Sequence, residues 1–127
     1  MNIYILYIRS VLEQSCVVWH FDITEEEKMD LERVQKIACK IILKDNYESY
    51  QQALKVLNLE TLSVRRQALC LKFAKKCVVH DKAKELFPLN TEKRNKDKFK
   101  VQFASTGRLM KSSIPQLQRM LNEDARK

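Results

Sequence analysis

One glycine and two prolines in 127 residues constrain this chain more than any other feature it has. Hairpin turns, β-bulges and phosphate-cradling loops draw on glycine for positive φ, and sandwiches or barrels need such turns repeatedly. Helices joined by short connections do not, because a helix needs only a cap at each end. The expected class is all-α: a small helical bundle of three longer helices plus one short helix, with a basic, partly extended C-terminal tail ending in a short helix. The length suffices for a single core. Three divisions are expected: a helical module over 1–87, a basic linker over 88–113, and a short C-terminal helix and tail over 114–127.

The periodicity supports this reading. In "MNIYILYIRSVL", Ile3, Tyr4, Ile5, Tyr7, Ile8, Val11 and Leu12 cover an arc of about 200°, which predicts a mostly buried helix. Arg9 and Glu13 lie on the remaining side. The stretch lacks the basic start of a signal peptide, and Arg9 interrupts it well short of the ~20 apolar residues of a membrane span. From an apolar helix without a cap at the start of the chain, Met1 is expected to be an internal methionine of a longer reading frame. "SCVVWHFD" loses the helical period and reads as an irregular connection, with Trp19 packed into the core.

Thr24 and Glu27 form a capping-box pattern, and Glu25 to Glu27 place three carboxylates at the positive end of a second helix. Leu31, Val34, Ile37, Ala38, Ile41 and Ile42 fill about 140° of arc. "SYQQALKVLNL" is a short helix capped by Ser49, with Asn58 suited to the left-handed residue that ends it. Thr61 caps the third long helix, where Leu62, Leu69, Cys70, Phe73, Ala74 and Cys77 share one side. Past Pro88, "NTEKRNKDKFKVQF" reads as solvated, with Phe99, Val101 and Phe103 hinting at a short extended segment. Ser113 and Pro115 then open a last helix whose apolar positions are Ile114, Leu117 and Leu121.

Charge is distributed unevenly. The net charge is +8, and seventeen Lys and Arg against six acids fall after residue 60. On the second helix Arg33, Lys36, Lys40 and Lys44 lie within about 80° of one another, away from the apolar face. On the third, Arg65, Lys72 and Lys76 form a similar row with Lys75 nearby. Such rows suit a polyanion, RNA or DNA ahead of a membrane surface; the plainer alternative is a solvated helix face. Arg66 differs, because its angle falls inside the apolar arc. A half-buried guanidinium there predicts an interhelical ion pair, with a phosphate contact as the sharper alternative.

Catalytic patterns are missing from the sequence. The cysteines Cys16, Cys39, Cys70 and Cys77 have no C-x-x-C spacing, so no metal site is expected; three lie in apolar helical runs typical of reduced, buried thiols. There is no Asp-x-Asp for paired magnesium ions and no glycine-rich nucleotide loop. Cys77, His80 and Asp81 are the best available nucleophile arrangement, but within one helical turn neither neighbour orients the imidazole. No enzymatic activity, cofactor or small-molecule substrate is expected.

"YIRSVLEQSCVVW" (Tyr7 to Trp19), "LERVQKIACKII" (Leu31 to Ile42) and "SYQQALKVLNLETLSVRRQALCLKFAKKC" (Ser49 to Cys77), in that order, resemble the region after the polymerase domain in jockey-like non-LTR retrotransposon reverse transcriptases. "SSIPQLQRMLN" (Ser112 to Asn122) looks like the end of such reading frames. The shared pattern is Tyr-Ile-Arg-Ser-x-Leu-Glu, Val-Trp, Leu-Glu-x-Val-Gln and Leu-x-x-Leu-x-x-Arg-Arg. One departure stands at Gln14, Ser15 and Cys16, where the family usually shows Tyr-Gly-Ser and a glycine stops the helix. The resemblance implies a non-catalytic C-terminal piece of an RNA-directed DNA polymerase, without its endonuclease and its Asp-Asp metal site. By the same resemblance it would hold RNA or DNA backbone weakly and without sequence choice, near the parent polymerase domain, in the nucleus or cytoplasm. Arg33, Lys36, Lys40, Lys44, Arg65, Lys72 and Lys76 would meet the phosphates. Competing readings are a helical interaction module docking through residues 3–12 and 62–78, or a degenerate fragment.

Overall fold

The computed structural model describes residues 1–92, 94 and 96–127, and its architecture is all-α. A π-helical run, Tyr4–Arg9, continues into α1 (Ser10–Glu13); α2 (Cys16–Trp19), α3 (Glu25–Leu43), α4 (Tyr50–Val56), α5 (Leu62–Val79), α6 (Gly107–Lys111) and α7 (Ser113–Arg126) follow. Among the described residues the extended pairing is a single antiparallel bridge between Leu89 and Phe99. The chain forms two compact units, the first from Met1–Cys16 and Ile23–Gln67, the second from Val17–Asp22 and Ala68–Lys127. The division at Gln67 falls inside α5.

In the first unit α3 begins as its sequence dictates. The Glu27 N–H donates to Thr24 Oγ1 at 3.2 Å and the Thr24 N–H donates to Glu27 Oε2 at 2.7 Å. That backbone bond, with the Thr24 hydroxyl, holds the Glu27 carboxyl below its usual range. What α3 buries is less expected. Its inward residues are Gln35, Ala38 and Cys39, while Val34, Ile37 and Ile41 are exposed. At 100° per residue the buried face is turned by about 90° from the centre of the apolar arc.

The cause is a buried polar network. Gln35 has no exposed surface; its Oε1 accepts from the Tyr4 hydroxyl at 2.6 Å, and its Nε2 donates to Tyr50 Oη and to the Glu60 carbonyl, each at 2.9 Å. The Tyr50 hydroxyl donates to Glu32, whose Oε2 also accepts the Leu62 N–H at 3.1 Å and so caps the start of α5. Burial pushes the Tyr4 hydroxyl up to about 12 and, with the Glu32 carboxylate, raises Tyr50 further, so both remain donors at neutral pH. Because a buried polar group must be paired, this network fixes the orientation of α3, and the aliphatic positions follow. Tyr4, Ala38, Cys39, Ala53 and Leu59 complete the core beside it.

The first helix departs from its pattern for a related reason. Tyr4 alone is buried there, whereas Ile3, Leu6, Tyr7, Ile8 and Val11 are exposed. The helix meets the unit through Tyr4 at Gln35, through Ile5 and, at its end, through Glu13, and its apolar arc is wider than that face. The helix then stops at Ser15, with φ 52°, where the resembled family uses glycine. Lys44 (φ 49°, ψ −118°) and Asn58 (φ 50°) also take positive φ after α3 and α4.

The second unit buries Cys70, Ala74, Phe87, Phe99, Leu117 and Leu121. Residues of the expected linker 88–113 thus supply part of a core; Lys93 and Asn95 lie outside the described residues. The reason is again amide chemistry. Asn122 on α7 accepts the Phe99 N–H at 2.8 Å and donates to the Phe99 carbonyl at 2.9 Å. One turn earlier, Gln118 accepts from the Gln102 N–H at 2.6 Å and donates to the Leu86 carbonyl at 2.7 Å. Two side chains at i and i+4 therefore satisfy backbone groups that the Leu89–Phe99 bridge leaves over. Phe103, expected to continue that segment, is exposed. α2 makes "CVVW" helical instead of irregular, and Trp19 is half-buried rather than a core residue.

Gln35→Ala strands the Tyr4 hydroxyl and the Glu60 carbonyl and leaves a cavity; a loss of about 2–4 kcal/mol is expected by urea denaturation followed by circular dichroism. Ser15→Gly removes the left-handed strain at the end of α1, with an expected gain of about 0.5–1 kcal/mol in the same assay.

Candidate nucleic-acid interface

The cations singled out from the sequence fall into both units. Arg33, Lys36, Lys40, Lys44 and Arg65 belong to the first and Lys72 and Lys76 to the second. On α3 the spacing places Arg33, Lys36 and Lys40 along one outward strip, and all three are exposed. Each of the three is partly engaged. Arg33 pairs with Asp30 at 3.0 Å; the Lys36 ammonium lies 5.2 Å from the Tyr50 ring centre, and that of Lys40 lies 5.5 Å from Tyr47. Lys44 is also exposed, but it lies past the end of α3 with φ 49° and leaves the helical phase. These surface contacts are individually weak, so a polyanion could compete for the charges.

Arg65 is placed differently. Its Nε donates to Glu13 Oε1 at 2.5 Å and its Nη2 to Glu13 Oε2 at 3.1 Å, a two-pronged pair that also raises the guanidinium pKa. Glu13 lies 52 positions earlier in the chain, so spacing along α5 gave no sign of it. A bidentate, half-buried arginine fastens α5 to the end of α1 and has little left for a phosphate. Arg66, next to it, is wholly buried, in a column with Leu62, Cys70 and Ala74. It is more deeply buried than the half-buried guanidinium expected there, and that burial leaves no guanidinium surface for a phosphate.

In the second unit the outward side of α5 and the turn after it border an open concavity of about 1120 Å³. Ala68, Leu71 and Val79 supply its apolar lining; Lys72, Lys75, Lys76 and Lys82 supply its cations. Lys75 pairs with Asp124 at 2.7 Å, and Asp81, which also lines the concavity, pairs with Lys84 at 3.6 Å. Among the described residues no carboxylate pairs with Lys72, Lys76 or Lys82. Lys82 was not foreseen, because it lies past the helix, where helical periodicity no longer applies.

The thiols offer little chemistry. All four cysteines are reduced thiols, with Cys16, Cys39 and Cys70 buried. Burial pushes the Cys77 thiol up, disfavouring the thiolate that nucleophilic attack needs. His80 turns away from such a role, since its Nδ1 accepts the Lys82 N–H at 3.3 Å. Among the described residues no three His, Cys, Asp or Glu side chains gather as a metal cage, and no helix is long and apolar enough to cross a membrane.

No family model, curated protein or solved structure matches the chain.

Glu13→Gln weakens the charge-assisted pair while keeping its shape, and a loss of about 1–3 kcal/mol is expected in urea denaturation.

Proposed function

We propose that the protein is a non-catalytic helical module that holds the phosphate backbone of RNA or DNA weakly and without sequence choice, as the C-terminal region of a retrotransposon polymerase would. The observation that supports it best is the lysine cluster Lys72, Lys76 and Lys82 beside the open concavity on α5. Ammonium groups without a carboxylate partner can neutralise phosphates directly, and Lys75 can exchange Asp124 for a phosphate oxygen. The α3 row, Arg33, Lys36 and Lys40, with Lys44 just past its end, contributes a second and weaker attraction, since the contacts of the first three must be loosened or shared.

Backbone contacts give affinity and position but no base reading. The half-buried Trp19 and the rings of Tyr47 and Tyr50, which already carry lysines, are poorly suited to stacking on bases. The parent polymerase domain is the natural neighbour under this proposal, and it would supply the chemistry that this chain lacks.

Binding to a labelled single-stranded oligonucleotide should weaken linearly in log affinity against log salt, with a slope near −2 if about three phosphates are neutralised at about 0.7 each. The double variant K72E/K76E should weaken binding by roughly tenfold or more at low salt and flatten that slope. An affinity that ignores salt, or that survives the double variant unchanged, would overturn the proposal.

A further inference from the structure

We infer that the outer face of α3 is a docking seam for an acidic amphipathic helix of another polypeptide, independently of whether α5 binds nucleic acid. Val34, Ile37 and Ile41 are exposed by 39%, 51% and 68%. Their spacing, i, i+3 and i+7, is the a-d-a register of a two-helix seam, with β-branched residues at each position. At 100° per residue the strip is about 60° wide. Its two borders differ. On one side Ala38 is buried in the core of the first unit. On the other stand Arg33 and Lys40, in the positions that meet flanking charges of a partner helix.

That asymmetry specifies the occupant. A partner with apolar a and d residues would cover the strip, and Glu or Asp beside them would meet Arg33 and Lys40. Asp30 and the Tyr47 ring now hold those two cations by exposed contacts weak enough to be exchanged. A second copy of this chain fits poorly. Antiparallel pairing would set Arg33 and Lys40 against the same cations, and parallel pairing would set them against Leu31 and Ala38, one half-buried and the other buried. A lipid surface fits poorly as well, because an interfacial helix presents an apolar face wider than about 100°. Phosphate backbone gains nothing from valine and isoleucine. Charge complementarity therefore favours an acidic helix, and the shortness of the seam makes the affinity modest.

The full chain can be titrated by fluorescence anisotropy with a designed heptad peptide carrying Ile and Leu at a and d and Glu at its flanks. A twin peptide with Lys at the flanks, phosphatidylserine vesicles, and sedimentation of the chain alone serve as comparisons. Micromolar binding of the Glu peptide, at least roughly tenfold tighter than the Lys peptide, is expected. I37E/I41E should abolish it, and R33E/K40E should reverse the preference between peptides; both pairs are exposed, and circular dichroism checks that the helices are retained. Absent binding at roughly millimolar peptide, equal affinity for the two peptides, or binding that survives I37E/I41E would overturn the inference. So would vesicle binding or self-association of the wild-type chain that I37E/I41E removes. Variants on α3 leave Lys72, Lys76 and Lys82 intact, so this result and the salt titration can fail separately.

Discussion

A single buried amide organises the first unit. Gln35 accepts from Tyr4, donates to Tyr50 and reaches the carbonyl of Glu60, while Glu32 one turn away receives Tyr50 and the first N–H of α5. Each of these groups would carry a desolvation cost if left alone in the interior, so the set behaves as a unit. Hydrophobic burial could be satisfied by several rotations of α3. The hydrogen bonds permit one. The second unit repeats the device, with Asn122 and Gln118 gripping the backbone beside the Leu89–Phe99 bridge.

Once α3 is held through Gln35, the surfaces follow. Its aliphatic strip is left outside beside its cations, and the two long helices come to carry mixed outer faces: Val34, Ile37 and Ile41 beside Arg33 and Lys40 on α3, and Leu71 and Val79 beside Lys72 and Lys76 on α5. A helix whose outside is only solvated has no need of exposed isoleucine. One whose outside meets only phosphate has no need of it either. The mixture is why a polyanion reading and a partner-helix reading attach to different positions on the molecule.

Much of this was legible in the residues, and where it was not the cause is physical. Helix starts and stops are local, so the Thr24 and Glu27 cap, the Ser49 cap, the left-handed Asn58 and the early Pro115 could all be read directly. The all-α class followed from the scarcity of turn residues. Which face of α3 is buried was not legible from hydrophobicity, although Gln35 was a signal: a polar residue at the edge of an apolar arc, beside Leu31 and Ile42, asks for partners. The lysine rows were visible as spacing. Whether a given cation is occupied depends on acids far off in sequence, Glu13 for Arg65 and Asp124 for Lys75, and no helical period reaches them.

The positive-φ residues at Ser15, Lys44 and Asn58 have a wider consequence. Each places a Cβ where a glycine would sit more easily, at a cost on the order of 1 kcal/mol apiece, and all three belong to the first unit. The lone glycine, Gly107, does not use the freedom it has, since no glycine takes positive φ. Among the described residues, torsional discomfort therefore falls in the first unit. A ligand resting on folded α3 would offset that cost by mass action.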